Sequence, residues 1–157
     1  MTALALDAID RRLLNQLQTN ARLSFVALGV LMDLSESSVR RRVERLRTIG
    51  VIDKEVAILS EQMAGGIRVI VTVTFERESP ELYARFRQHI KSLAMVEQCY
   101  SVAGVLDFIL IVRADDLPSY EAWGERELMS WPEIRRYDSH VIWSTVKYST
   151  QIVLPED

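Results

Sequence analysis

The hydrophobic period of the chain changes at Gly65-Gly66, and this change restricts the folds open to it. Before these glycines, apolar residues recur every three or four positions, which is the period of a helix with one buried face. After them, Val69, Val71 and Val73 share one face of an alternating segment, which is the period of a strand. We therefore predict two modules, first a helical one and then one that contains a β-sheet.

Polar residues divide the first module into three short helices. Asp7, Ser24 and Ser35 stand where helices begin, since short polar side chains accept hydrogen bonds from unpaired N–H groups there. Gly50 ends the third helix. Asp33 supplies a tight turn before that helix, because Asp tolerates backbone angles that most residues avoid. Three short helices with a tight turn before the last are typical of a helix-turn-helix unit.

The second module alternates strands and helices. The predicted strands are residues 68–75, 96–103, 108–113 and 134–147. Ser79-Pro80 and Asp116-Leu117-Pro118 begin the two helices, because proline is favoured in a first helical turn. The order βαββαβ predicts an α+β fold, a ferredoxin-like antiparallel sheet with both helices on one face. Ile70 and Ile109 are candidates for the other face, where we expect a second copy to pack.

The two modules also differ in net charge. Residues 1–60 contain nine Lys/Arg and seven Asp/Glu, a net charge of +2, whereas residues 61–157 contain ten and fifteen, a net charge of −5. This asymmetry indicates that only the first module meets an anionic partner. We expect a helix-turn-helix domain over residues 1–53, a linker or arm over 54–66 and a second domain over 67–157.

The third helix carries an unusual concentration of arginine. Arg40, Arg41, Arg42, Arg45 and Arg47 fall within eight residues that contain a single acid, Glu44. Most charge runs form an ordinary solvated helix face, but such faces mix both signs. Five arginines against one glutamate would repel one another without an anion nearby. The pattern therefore favours contact with the phosphates of DNA.

A helical wheel assigns separate roles to these side chains. Val39, Val43 and Leu46 form the buried face, and Arg41 lies nearly opposite. We predict that base edges are contacted by Ser37, Ser38 and Arg41. We predict that phosphates are contacted by Arg40, Arg42, Arg45 and Arg47. Arginine suits both tasks, because its planar guanidinium pairs bidentately with guanine or with phosphate oxygens.

Other functional classes leave no signature in the sequence. No apolar run approaches the roughly 18–20 residues of a membrane-spanning helix. Cys99 is the single cysteine, and His89 and His140 lack metal-ligand spacing. Gly65-Gly66 lacks the Lys-Ser/Thr of a phosphate-binding loop. We expect a cytoplasmic protein that is not an enzyme and that holds no metal or cofactor.

Short segments in a fixed order and spacing run through nearly the whole chain: 6–14, 17–22, Leu34-Ser35, Arg41-Arg42-Val43 with Leu46, Gly50-Val51-Ile52, Gly104-Val105-Leu106-Asp107, Val146-Lys147 and Leu154-Pro155. In these segments the chain resembles the Lrp/AsnC (feast/famine) family of regulators. The resemblance implies a winged helix-turn-helix followed by a ferredoxin-like domain of the RAM type, which binds an effector and forms oligomers. It also implies a dimer, or an assembly of dimers, on a palindromic DNA operator.

The resemblance further implies an amino-acid effector held between subunits. The candidate residues are Gly104, Val105, Leu106, Asp107 and Ser139. A glycine turn exposes N–H groups that can receive a carboxylate, and Asp107 could pair with an ammonium group. An apolar wall of Val105 and Leu106 predicts an apolar or aromatic effector. Ala103 and Leu106 replace a common threonine and a common tyrosine, so a lost site is an alternative. Asp107 could instead cap its own turn.

Two other functions remain open from the sequence. Siroheme decarboxylases resemble the same family but lack DNA binding, and Arg136, Tyr137 and His140 are the residues that would fit such an enzyme. The arginine-rich helix favours the regulator. A DNA organiser that responds to no effector is the third possibility, and the absence of any small-molecule response would favour it.

Overall fold

The computed structural model describes residues 6–155, except the side chain of Gln62, and consists of two compact units. One unit contains the residues up to Ile58 and again those from Lys147 onward, and the other is Leu59–Val146. The C-terminal segment thus belongs to the helical unit, whereas the sequence had placed it in the second domain. Residues 1–5 and 156–157, which belong to the two predicted domains, lie outside the described residues.

The helical unit is built as the capping residues predict. Its helices are α1 (Ala8–Thr19), α2 (Phe25–Met32) and α3 (Glu36–Thr48). The side chains of Asp7, Ser24 and Ser35 each accept a hydrogen bond from a backbone N–H in the first turn that follows. These bonds satisfy donors that a helix leaves unpaired at its N-terminus, which fixes where each helix begins. All three predicted caps are confirmed.

The turn between α2 and α3 depends on two special backbone positions. Asp33 has a φ of 57°, the left-handed conformation expected of it. Gly29 approaches the turn so closely that a Cβ there would lie 2.6 Å from the carbonyl oxygen of Leu34. The side chains of Leu28, Val39 and Val43 are fully buried between the helices.

The segment after α3 differs from the expected wing. In the described part of the chain, residues 53–59 form neither helix nor strand, so this wing is not a hydrogen-bonded hairpin. A short helix, α4 (Glu61–Ala64), precedes the glycine pair. Gly66 has a φ of 68°, and a Cβ there would lie 2.2 Å from the carbonyl oxygen of Ala114, so both backbone angle and space require glycine.

The second unit has the predicted ferredoxin-like topology. Its elements are β1 (Ile67–Phe75), α5 (Pro80–Lys91), β2 (Val96–Ser101), β3 (Phe108–Ala114), α6 (Leu117–Gly124) and β4 (Ile134–Val141). The antiparallel sheet has the order β2-β3-β1-β4. A π-helical turn, Glu125–Met129, extends α6. Strands β2 and β4 end earlier than predicted, at Ser101 and Val141 instead of Ala103 and Lys147.

One face of the sheet carries the core of this unit. Side chains of β1, β3, α5 and α6 pack there, and Val71, Phe86 and Trp123 are 1% exposed or less. The opposite face presents half-buried Ile70 and Ile109. None of the helices in the described residues is both long and apolar enough to cross a membrane.

Candidate functional site

A buried carboxylate holds α3 against α1. Asp10 is 1% exposed, and its carboxylate accepts hydrogen bonds from Arg42 at 2.9 Å and from Arg45. Arg42 also donates to Asp7 at 2.6 Å. Asp10 was not predicted as a site residue, although its spacing from Asp7 is the signal of a capping box, which the structure contains. The ion pairs fix the position of α3 on the unit.

These contacts shift the pKa values of Asp7 and Arg42. The backbone N–H of Asp10 lowers the pKa of the Asp7 carboxyl, and Arg42 lowers it further. The hydrogen bond that Arg42 donates to Asp7 is the main cause that raises the pKa of Arg42. Only 25% of the Arg42 side chain is exposed. Of the arginines predicted to contact phosphate, Arg42 is therefore directed toward α1 and has a structural contact there.

Of the other arginines predicted to contact phosphate, Arg40 and Arg47 form surface ion pairs, and Arg45 contacts the buried Asp10. Arg40 pairs with Glu36 at 2.7 Å and lies over the ring of Phe25. Arg47 pairs with Glu44 at 2.6 Å and with Glu55 at 2.9 Å. Arg45 keeps 43% of its side chain exposed while it contacts Asp10. The exposed pairs of Arg40 and Arg47 are of a kind typically worth about 0–1 kcal/mol, so a phosphate could replace their glutamate partners.

Arg41 differs from its four neighbours. It is exposed, and it makes no hydrogen bond or ion pair with any residue that the structure describes. Val39 and Val43, two positions before and after it, are fully buried, which places Arg41 on the outer face of α3. Its guanidinium is therefore available to a partner outside the chain.

The two predicted serines lie at the N-terminus of α3 beside the cap. Ser37 is exposed and Ser38 half-buried. The Ser35 hydroxyl lies 3.1 Å from that of Ser37 and donates to that of Ser38 at 2.9 Å. Ser37, Ser38 and Arg41 thus lie within the first turns of one helix, as a surface that enters a groove would require.

In the second unit, Asp107 fastens the turn that was expected to bind an effector. One carboxylate oxygen accepts a hydrogen bond from the Phe75 N–H at 2.8 Å, and the other accepts one from the Tyr83 hydroxyl. The Asp107 N–H donates to the Val73 carbonyl oxygen at 3.0 Å. Burial and the Asp107 carboxylate raise the pKa of Tyr83 to about 12. This arrangement is the turn-capping alternative, with both oxygens engaged inside the chain.

The other residues of the predicted effector site lie apart from this carboxylate. Gly104 has a φ of 137°, and Val105 is 86% exposed at the end of the turn. Ser139 lies on β4, where it is paired with Val71 of β1. Strand β1 therefore separates it from the turn before β3, and its hydroxyl is hydrogen-bonded to Tyr120. Within one chain, Ser139 is therefore not brought together with Gly104, Val105, Leu106 and Asp107.

The residues that would fit an enzyme also fail to converge. Tyr137 is paired with Val73 and packs against the core, whereas His140 is paired with Ile70 on the opposite face. Arg136 is ion-paired with Asp138 at 2.7 Å. Among the described residues, no three His, Cys, Asp or Glu side chains are grouped to hold a metal ion.

A helix-turn-helix unit with an arginine-rich outer face, followed by an α+β unit, defines a class of DNA-binding regulators. The family model of the AsnC-type helix-turn-helix domain matches residues 6–47, and that of the Lrp/AsnC ligand binding domain matches residues 68–152. The chain belongs to the Lrp/AsnC family of transcriptional regulators. Both the family and the fold predicted from the sequence are confirmed.

Relatives match the chain over nearly its full length. An uncharacterised HTH-type transcriptional regulator of Sinorhizobium fredii is 37% identical over 92% of this chain and 86% of the relative. The leucine-responsive regulatory protein of Escherichia coli is 30% identical over 95% of this chain and 92% of its own.

Solved structures agree with this family. The crystal structure of an AsnC family regulator from Agrobacterium tumefaciens matches with a TM-score of 0.85 and 28% identity. The match covers 94% of this chain and 96% of the Agrobacterium chain. A transcriptional regulator of Neisseria meningitidis, solved in complex with L-Met, also matches with a TM-score of 0.85 and is 26% identical. This match covers 96% of this chain and 97% of the Neisseria chain.

Proposed function

We propose that this regulator reads its operator with the outer face of α3, through Arg41, Ser37 and Ser38. The observation that carries the proposal is the exposure of Arg41, which has no intramolecular partner among the described residues. A free guanidinium on the outer face of a recognition helix matches the bidentate acceptors of guanine in the major groove. Arg40 and Arg47 would contact phosphates by leaving weak surface ion pairs, whereas Arg45 would do so with its exposed part while it keeps its bond to the buried Asp10.

We propose that the protein acts as a dimer or an assembly of dimers on a palindromic operator in the cytoplasm. The half-buried isoleucines of the open sheet face, Ile70 and Ile109, support this assembly. A two-fold symmetric pair of helix-turn-helix units would require two half-sites related by the same symmetry. The domain limits at residues 53 and 67 are part of this proposal.

We propose that an amino acid with an apolar side chain modulates DNA binding from the turn at Gly104–Asp107. The family's second domain is described as ligand-binding, and the Neisseria regulator was solved with L-Met. Val105 and Leu106 would offer the ligand an apolar wall. Since both Asp107 oxygens hold the turn, Asp107 would act by shaping the turn and could accept only additional hydrogen bonds from an ammonium group.

Genomic footprinting of the full-length protein, with and without each common amino acid, tests the proposed function. We expect discrete protected sites with two-fold symmetry, whose occupancy changes with an apolar amino acid. Uniform binding without preferred sites would contradict sequence-specific regulation. Preferred sites that no amino acid changes would support an effector-blind organiser instead.

A thermal-shift screen of the same amino acids tests the effector separately from DNA. A ligand at 100 times its dissociation constant should stabilise the folded protein by about 2.7 kcal/mol. Stabilisation by acidic or basic amino acids alone would contradict the apolar wall. Replacement of Leu106 with serine should weaken the response to an apolar amino acid, and a response left unchanged would place the site elsewhere.

A further inference from the structure

The C-terminal segment is held on α1 by two side-chain amides. The Gln18 amide accepts a hydrogen bond from the Ile152 N–H at 2.7 Å and donates to the Ile152 carbonyl oxygen at 3.0 Å. The Asn15 amide accepts from the Leu154 N–H at 3.4 Å and donates to the Leu154 carbonyl oxygen at 3.0 Å. Each amide therefore pairs with both polar groups of one backbone residue, as a neighbouring strand would.

The spacing of these contacts suits an extended chain. Asn15 and Gln18 are three residues apart and lie on one side of α1. Ile152 and Leu154 are two residues apart, so their N–H and carbonyl groups point to the same side of an extended segment. Two apolar side chains of the segment contribute little burial, since Ile152 is 68% and Val153 84% exposed, whereas Leu154 is half-buried. The contact thus depends on backbone groups more than on side-chain packing.

The same segment is continuous with the sheet of the second unit. Strand β4, which carries Ser139, ends at Val141, and the helical unit is rejoined at Lys147. The short connection is anchored at the sheet, because the Ile142 N–H donates to the Arg68 carbonyl oxygen at 2.8 Å and Arg68 donates to the Thr145 hydroxyl at 2.6 Å. Each extended residue spans only about 3.5 Å, so a short connection leaves little slack.

Helix α1 is in turn coupled to the recognition helix. Asp10, which precedes Asn15 on α1, binds both Arg42 and Arg45 of α3. A displacement of the clamped segment would therefore act on α1 and, through a buried carboxylate, on α3.

We propose that residues 147–155 form a strap, which Asn15 and Gln18 clamp to α1, and that the strap transmits amino-acid binding in the second unit to the DNA-reading helix. The proposal rests on the proposed function, since it supplies the regulation of that DNA site. It assigns to Asn15 and Gln18 a positioning role: they touch neither DNA nor the amino acid.

The test compares the full-length parent with Asn15→Ala/Gln18→Ala, which removes both amides but retains residues favourable to the helix. The control is Gln16→Ala, because Gln16 lies on the same helix and makes no hydrogen bond to the strap among the described residues. Asn15→Asp/Gln18→Glu is a second variant of nearly unchanged shape, which keeps the acceptors but loses the donors. Far-UV circular dichroism checks that each variant is folded.

Hydrogen exchange shows directly whether the strap is docked. In the parent and in Gln16→Ala, the Ile152 and Leu154 amides should be protected. In Asn15→Ala/Gln18→Ala they should exchange about tenfold faster or more. Equal exchange in the parent and in both clamp variants would overturn the strap.

DNA affinity then tests coupling, with an operator fragment recovered by footprinting and L-methionine and the other apolar amino acids as probes. The clamp variants should bind the fragment within about threefold of the parent, and the amino acid should still raise their melting temperature. It should no longer change their DNA affinity. A retained amino-acid effect on affinity would overturn the coupling role. A parent that binds no DNA, or responds to no amino acid, would contradict the proposed function and the coupling with it, while hydrogen exchange still decides whether the strap is docked.

Discussion

Adjacent arginines on α3 have different environments, and these environments separate their roles. Arg41 is exposed on the outer face, whereas Arg42 turns inward to Asp7 and Asp10. A wheel drawn from the sequence distinguishes inner from outer positions, but it does not reveal that a buried carboxylate on α1 will capture a particular guanidinium. The same holds for Asp107, whose oxygens are occupied by Phe75 and Tyr83.

The hydrogen bond between Tyr83 and Asp107 predicts a particular loss of stability in alkali. Burial, and then Asp107, raises the pKa of Tyr83 from 10.0 to about 12 in the folded chain. Between these values the folded state retains a proton that the unfolded state has lost, so the free energy of unfolding falls as the pH rises above about 10. Urea unfolding of the parent and of Tyr83→Phe at several pH values measures this effect.

The two stability curves should converge as the pH rises, because Tyr83→Phe lacks the ionising hydroxyl. In Asp107→Asn, the pKa of Tyr83 should fall only part of the way to its usual value, since burial remains. Parallel curves for the parent and Tyr83→Phe above about pH 10 would show that the pKa of Tyr83 is not raised in the folded chain.

At the scale of the elements, short-range signals predicted the fold well. The caps at Asp7, Ser24 and Ser35 were predictable because a cap bonds to residues within one turn of itself. The end of β4 was not, because pairing with β1 stops at Val141 although the apolar pattern continues.

The candidate site was predictable to a smaller extent. Helical period alone placed Arg41 on the outer face. The arginine–carboxylate pairs and the clamp on residues 152 and 154 join residues far apart in the sequence, and no local pattern reports them. The π-helical turn at Glu125–Met129 likewise has no periodic signal that distinguishes it from an ordinary helix.

Gly29 offers a test of the turn between α2 and α3. In Gly29→Ala, the new Cβ would lie 2.6 Å from a backbone oxygen, so the turn must open. We expect a loss of about 1–3 kcal/mol in the free energy of unfolding, as for overpacked sites. Gly124→Ala is the matched control: its Cβ would meet only the Tyr137 hydroxyl at 3.8 Å, so the variant should be up to about 1 kcal/mol more stable.

Denaturant unfolding of both glycine variants gives the comparison. Opposite signs of the stability change are expected, and equal stabilisation of both would show that the Gly29 contact is not a tight one. The Gly29→Ala variant should also lose DNA affinity, because α3 begins immediately after this turn.

At the scale of the whole molecule, the division of charge and the open sheet face predict separate tasks for the two units. The helical unit carries the arginines that would meet DNA. The second unit carries a sheet with Val71 inward and Ile70 outward, so one strand serves a core on one face and a proposed interface on the other.

The proposed interface is tested by Ile70→Glu/Ile109→Glu in the full-length protein. Charges on the open face would be costly to bury between two copies, so the variant should sediment as a monomer at concentrations where the parent is a dimer or larger. Leu117→Glu, at an exposed position of α6, is the control and should assemble like the parent. An unchanged sedimentation coefficient for a folded double variant would place the interface elsewhere.

The affinity of Arg41→Ala for the operator tests the central claim most directly. Fluorescence anisotropy would compare the variant with the parent on the operator and on fragments with each base pair changed. The variant should lose about 1–3 kcal/mol on the operator and relax the preference at one base position. Arg47→Ala should instead weaken binding to all fragments alike and reduce its dependence on salt. If Arg41→Ala binds the operator as tightly as the parent and with the same base preferences, the outer face of α3 does not read DNA.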